Sequence, residues 1–528
     1  MGNNTSSRNK NGKRTAKPPS KLFLTDALNS QIEAAAAASV VSSSANNING
    51  PSGSNQAISQ QAAMSRSPSS AEILSSQFLP IDKLAKLFRF PKILSDITLR
   101  EEGVNGISLQ VFQQYLFPSY PELADRLFNF LHTSHSPTKS KHLGLSAFKQ
   151  QTEKFLSHMF DQLVLEMYVK MFAENPGENE ITPDGFRELL LVSYRLAMSE
   201  NRNSSCPQLL NIINAVVVSC FHGKDSLSVN FVTNWMWNNC AGVVHGIHRY
   251  VVHVLTTAYR NSKTLLTKES SMHLSPSTPI LDQPEWTDYA ETILPISYVW
   301  LLASTLPDCY TQSEEDNKDK VQALIEKMSG MACPRHWTLL YNSNQHGCGS
   351  NRFLHHVLSY HGPTLTFIRA EGALDADRRT YPTYCICSSM EWRESHLYWG
   401  NEDSMVVELL PNYRVIQKGP KLLYLNTSIR GYPQGLRAGS DPRNPCVSID
   451  QDFSSVSFAG VPYRLSSLEV WGCGNSKSKE KQLEIKKWQV KEAERQQVVK
   501  LSTSEWLDHP DRYLLEMGGR TNYNNSNC

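Results

Sequence analysis

Trp337-Thr338-Leu339-Leu340-Tyr341-Asn342-Ser343, just after Cys333-Pro334, is the stretch on which the fold turns. Upstream of it, apolar residues recur at three- and four-residue spacing. From it onward they alternate or fill short runs bounded by turn residues, which is the pattern of strands. After 337–341, strands are predicted over 364–369, 383–392, 405–410, 413–417, 421–426, 446–450 and 467–471. Many strands joined by short turns imply antiparallel sheets packed as a sandwich. Ser350 is placed to cap a short helix carrying Phe353, Leu354, Val357 and Leu358, with Gly362-Pro363 as its stop.

Residues 77–260 read as helical. Phe155, Met159, Leu163, Met167 and Met171 recur every fourth position, predicting one amphipathic helix. Leu209, Ile213, Val216 and Val217 predict a second, and Val244, Ile247, Val251 and Leu255 a third. A faint repeat runs through this region: Ile107, Leu143 and Ile181 each precede a phenylalanine (Phe112, Phe148, Phe186) by five residues, with a looser copy at Leu227 and Val232. An EF-hand has this layout, with an apolar residue at loop position eight and an aromatic at thirteen. Position twelve should be a bidentate glutamate, but here it is Val111, Ala147 or Gly185, so helix pairs that do not bind calcium are predicted. Thr182 and Pro183 read as N-cap and first helical residue. Residues 261–330 are assigned as a linker with connecting helices: Pro276, Pro279 and Pro284 break its first part, 289–306 is an apolar helix and 314–328 a charged one.

The C-terminal residues carry a resemblance. Trp337 to Ser343, then His346-Gly347, Phe353 and Gly362-Pro363-Thr364, look like the opening of a TLDc domain. Leu425-Asn426, Gly435-Leu436, Ile449-Asp450-Gln451-Asp452-Phe453 and Leu468-Glu469-Val470-Trp471-Gly472 resemble its second half, in order, within 331–475. The family's glycine pair before its central strand is replaced near Pro382-Thr383, its later glycine-rich turn is reduced to Gly439, and the loop after Phe453 is short. The layout as a whole is similar to the mTOR-associated type of TLDc protein. The fold class expected is α+β and multidomain: a helical, EF-hand-like N-terminal region, then a TLDc β-sandwich flanked by helices. The resemblance implies no established reaction. It implies work at lysosomes in mTOR signalling, binding of the vacuolar proton-pumping ATPase, and oxidative-stress resistance.

The chain has 528 residues, so two or three folded units are expected. A net charge of only +2 argues against nucleic acid as a partner of the whole chain. Eleven cysteines without a C-x-x-C pair suit a reducing compartment. No secretory leader and no long apolar span is visible. Membrane contact is expected to be covalent instead. The sequence begins Met1-Gly2-Asn3-Asn4-Thr5-Ser6, the N-myristoylation pattern, in which the acyl group goes on the amine of Gly2. One such chain binds membranes marginally, so a second signal is needed. Arg8, Lys10, Lys13, Arg14, Lys17 and Lys21 supply it toward an anionic surface, with no acid before Asp26. Residues 1–76 thus read as a lipidated, basic, disordered tether. A cytoplasmic protein, peripheral on a lysosomal or other intracellular membrane, is expected.

Catalytic motifs are lacking. Neither G-x-S-x-G nor a nucleotide-binding glycine loop is present. His245, His248 and His253 lack metal-site spacing and read as structural, and Asp450 and Asp452 as turn-forming. Glu391 beside Trp392, and His346 with Cys348, read as strand-edge polar groups. No cofactor and no metal is expected. Residues 476–528 form a charged helix and tail in which Leu483, Trp488 and Val498 line a narrow apolar face, and Leu483, Trp488 and Lys491 are candidate partner contacts. The reading is a non-enzymatic, membrane-tethered adaptor. Its rivals are an oxidative-stress protein acting through its TLDc domain or a reactive thiol, with Cys333 near Arg335 and His336 the candidate, and a hydrolase.

Overall fold

In the computed structural model, residues 89–133, 141–157, 162–173, 179–198, 206–252, 254–255, 292–312, 334, 336–372, 381–497, 514 and 517 are described. All of them fall within one unit, spanning 68–318 and 324–528. Gly2, the six basic residues after it, the segment 261–291 and the helix predicted at 314–328 lie outside the described residues.

The N-terminal half is built from helix pairs. They are α1 (Arg89–Glu102) with α2 (Leu109–Leu116), α3 (Pro121–Thr133) with α4 (Leu145–Leu156), α5 (Gln162–Met171) with α6 (Pro183–Ala197), and α7 (Leu209–Phe221) with α8 (Val229–Asn239). The loops between partners are joined two by two. Ile107 and Leu143 exchange backbone hydrogen bonds of 2.9 Å each. The two-residue strands β1 (Glu180–Ile181) and β2 (Leu227–Ser228) pair antiparallel, with Ile181 opposite Leu227. One residue after each anchor the chain enters its helix through Ser108, Gly144, Thr182 or Ser228, and the three hydroxyls accept from the amides of Val111, Gly185 and Phe231. Five residues after each anchor, Phe112, Phe148, Phe186 and Val232 are buried.

The predicted helix through Phe155 and Met171 is two helices. Ser157 closes α4, its amide on the Glu153 carbonyl and its hydroxyl 2.7 Å from that of Lys154, and Leu163, on the assumed apolar stripe, is exposed. Residues 245–252 are helical, and Val244, Ile247, Val251 and Leu255 are buried, as is most of α9 (Ile296–Ala303).

The C-terminal half is one antiparallel sheet. Its strands are β3 (Thr338–Asn342), β4 (Thr364–Ala370), β5 (Thr383–Ser388), β6 (Met405–Leu410), β7 (Arg414–Lys418), β8 (Leu423–Asn426), β9 (Gly435–Ala438), β10 (Val447–Ile449), β11 (Ser455–Phe458) and β12 (Val461–Gly472). The order is β7-β6-β5-β4-β12-β11-β10-β9-β8, with β3 also on β12. Strand β12 spends its first residues against β11 and its last against β3 and β4. Ile368, Ile386 and Val406 from one arm share a core with Leu425, Leu436 and Ile449 from the other, so the two arms face each other. On the opposite face, Leu365, Phe367, Cys385, Met405 and Trp471 join the core of the helical half. This alternation along β4 is the period-two pattern of a strand packed on both sides.

Ser350 does not cap its helix, α10 (Ser350–Val357). Gly349 holds the N-cap position, and the helix ends before Leu358 rather than at Gly362.

Candidate interaction surface

The helix that follows the sheet, α11 (Ser476–Gln497), carries the three tail residues singled out from sequence. Its start is fixed by Asn475, whose side-chain oxygen accepts from the amide and hydroxyl of Ser478. One turn on, Gln482 is 3% exposed and donates its amide to the carbonyls of His356 and Leu358, at 2.9 and 3.0 Å. Those carbonyls belong to the last turn of α10, whose end lacks intrahelical donors, so Gln482 caps one helix from another. Ser478, Gln482, Ile485, Lys486 and Glu492 are the less exposed positions among the described side chains, spaced to lie on one helix face.

Beyond this docked face the helix is open. Trp488 is 63% exposed, Val490 57% and Leu483 48%, with Lys491 also exposed. At about 100° per residue, Leu483 and Val490 share one flank of the docked face, Trp488 lies on the other, and Lys491 points opposite. Leu483 and Trp488 therefore do not form the single apolar line read from the sequence, and Val498 lies outside the described residues.

Under α11 sits a histidine group. The rings of His346 and His356 stack at 4.0 Å, and His355 lies edge-on to His356. Burial, with His346, Lys486, His355 and Arg352 nearby, pushes His356 down to about 4, so it is neutral at physiological pH. Burial also lowers Lys486. His346 Nδ1 accepts from the Asn342 amide, which ties the ring to the end of β3.

The remaining sequence candidates are dispersed. His248 is buried against Phe155 and Tyr168, and His253 lies outside the described residues. Asp450 takes the amides and hydroxyls of Ser454 and Ser455; burial raises its carboxyl, the four bonds outweigh it, and the group ends below its ordinary value. It is a turn former. Glu391 pairs with His361 at 3.0 Å on the surface, while Trp392 is buried and donates to Thr364. Cys348 is exposed near Tyr341. Burial raises the thiols of Cys220, Cys240, Cys385 and Cys473, which disfavours thiolate. Cys333 and Arg335 lie outside the described residues. Among the described residues no three His, Cys, Asp or Glu side chains gather as metal ligands, and no helix is long and apolar enough to cross a membrane. Gln482 was missed from sequence because a glutamine in a charged helix has no pattern that distinguishes it.

Residues 314–485 match the TLDc domain family. Several similar proteins share the name Restriction of telomere capping protein 5. The one from Lachancea thermotolerans is 28% identical over 170 residues, 27% of this chain and 30% of that protein. The one from Zygosaccharomyces rouxii is 24% identical over 246 residues, 35% of this chain and 44% of the relative. The one from Saccharomyces cerevisiae strain S288c is 27% identical over 173 residues, 26% and 30% of the two chains. The chain thus spans less than half the length of these relatives.

Proposed function

From the TLDc domain of residues 314–485 as premise, we propose that the protein is a non-catalytic adaptor that binds other proteins at the cytosolic face of an intracellular membrane. The observation that carries this reading is α11, pinned at Ser478 and Gln482 while Leu483, Trp488 and Val490 face solvent. An anchored helix with large apolar side chains on open flanks is suited to lie in a groove of another protein. An acyl group on Gly2, helped by Arg8, Lys10, Lys13, Arg14, Lys17 and Lys21, is the proposed tether. The vacuolar proton-pumping ATPase and the mTOR complex, at the lysosome, are the partners proposed from the family resemblance.

The helical half is read in the same way as two pairs of EF-hand-like modules. The bridges between Ile107 and Leu143, and between Ile181 and Leu227, support this, because paired EF-hand loops touch at that position. At the calcium-chelating position stand Val111, Ala147, Gly185 and, counting on from Leu227, Phe231, so the modules serve as a scaffold.

The test uses the full chain, a chain ending at Asn475, and Trp488→Ala. Each is mixed with purified proton pump and with purified mTOR complex, and bound protein is measured. Loss of binding in both variants is expected; undiminished binding by the chain ending at Asn475 would remove the helix from the account. Gly2→Ala is expected to move the protein from membrane to soluble fractions, with mass spectrometry of the amino terminus reading the acyl group directly.

A further inference from the structure

Between the helical half and the sheet lies a cavity of about 590 Å³. We propose that it binds a small organic anion, a phosphate monoester or carboxylate carried on a hydroxyl-bearing body. The cavity is bounded by α7, by Tyr298 of α9, by Arg369 of β4 and by the β6–β7 turn at 410–412. Its volume is in the range that holds a metabolite-sized ligand.

Among the described residues that line the cavity, Arg369 is the only one that carries a charge. Arg369 follows Leu365 and Phe367 on the face of β4 that looks toward the helices, so its guanidinium is carried to the cavity by strand alternation. Among the described residues the guanidinium makes no hydrogen bond and no ion pair, and none of those lining the cavity is acidic. Glu469 on β12, an acid whose carboxyl feels the charge of Arg369, is occupied by the Ile293 amide, Asn342 and Trp471.

The second observation is independent of charge. Tyr298 is 1% exposed, it lines the cavity, and its hydroxyl has no hydrogen-bond partner among the described residues. An orphaned buried hydroxyl is costly, and a native structure that keeps one often reserves it for something absent. Burial raises the Tyr298 phenol and Arg369 draws it partly back, which places the two groups within each other's field. The start of α7 also faces this space. Gln208 stands at its N-cap without a side-chain capping bond and lines the cavity.

The rest of the lining suits a hydroxylated body. Asn211 and Gln208 sit at the rim, and the Asn214 carbonyl oxygen accepts from Arg187 Nε, which leaves its amide N–H groups for a guest. Ile212 and Ala215 form the apolar floor. A ligand held here would touch α7 and α9 on one side and the sheet on the other, bracing the two halves. Binding in this cavity does not require the acyl group or the basic segment that follows it.

Isothermal titration and thermal melts of the full chain are the test, with inorganic phosphate, citrate, glucose 6-phosphate and AMP as probes at matched ionic strength. Phosphatidic acid vesicles serve as the arm for a lipid source. At least one organic probe is expected to bind saturably and more tightly than inorganic phosphate. Arg369→Met should weaken it tenfold or more, and Tyr298→Phe severalfold while raising the melting temperature of the empty protein. Asn211→Glu, at an exposed position in the first turn where an acid suits the helix dipole, should abolish binding without lowering the melting temperature. Absence of binding by every probe below about 1 mM, or binding that Asn211→Glu leaves intact, overturns the proposal. Binding by vesicles alone overturns the soluble ligand class.

Discussion

Glu469 shows how one carboxylate organises a junction. It has no exposed surface, and it accepts from the Ile293 amide at 2.9 Å, the Asn342 side chain at 3.0 Å and the Trp471 indole at 3.2 Å. Ile293 leads into α9, Asn342 ends β3 and Trp471 is on β12, so three elements converge on one side chain. Glu469→Ala would orphan three buried donors and is expected to destabilise the chain by about 3 kcal/mol in denaturant titration. A cost under about 1 kcal/mol would show that the donors find other partners. The charge itself behaves differently. Burial raises the Glu469 carboxyl above its ordinary value despite those bonds. The native state then holds the proton more tightly than the unfolded chain, so this group's contribution is largest below the ordinary carboxylate range and is lost as pH rises through the raised value. Glu469→Gln keeps the shape without the titration. Its melting temperature relative to the parent should improve between pH 4.5 and 7; a constant difference would contradict the raised carboxyl.

At the scale of elements, α11 separates two roles that lie side by side. Gln482→Ala removes the bonds to the end of α10 and should speed amide exchange along 476–497 severalfold, with the sheet unaffected. Trp488→Ala touches nothing that holds the fold and should change stability by no more than about 0.5 kcal/mol while reducing partner capture. A large stability loss would mean that the indole packs on the chain rather than awaiting a partner. The same scale shows what the sequence could tell. Strands such as 364–369 and 405–410 were legible because each is a run of β-branched and apolar residues bounded by turns. Strand β9 was not, because Gly435 and Arg437 interrupt its pattern. Gly435 is there because its backbone lies against the Ile449 carbonyl with φ +108, where a Cβ would stand 2.1 Å from that oxygen. The repeat through Ile107, Leu143, Ile181 and Leu227 was legible as spacing, but the bridges between loops were not, since pairing is a long-range fact. The break at Ser157 escaped because period alone does not register a terminating hydroxyl bond.

For the whole molecule the question is whether helices and sheet act as one body, and the β6–β7 turn decides it. Tyr413 is fully buried; its amide donates to the Ala215 carbonyl of α7, and its hydroxyl lies 2.5 Å from that of Thr305. Two residues on, the Val415 amide donates to the Asn239 side chain at the end of α8, at 2.8 Å. None of this was readable in advance, because Tyr413 looks like any strand aromatic until its neighbours from distant segments are known. With Leu365, Phe367 and Trp471 in the same core as the helices, separating the halves would expose apolar surface on both, so one cooperative transition is expected. Tyr413→Ala empties the centre of that contact and should cost about 3–5 kcal/mol, as other large aromatic truncations do. The decisive readout is where the loss appears. If the halves are one body, amide exchange rises together in Leu209–Phe221 and Met405–Leu410, elements that share no hydrogen-bond ladder. If only the β6–β7 hairpin loosens while α7 stays protected, the halves are separate foldons that merely touch, and a ligand in the cavity between them would have nothing to couple.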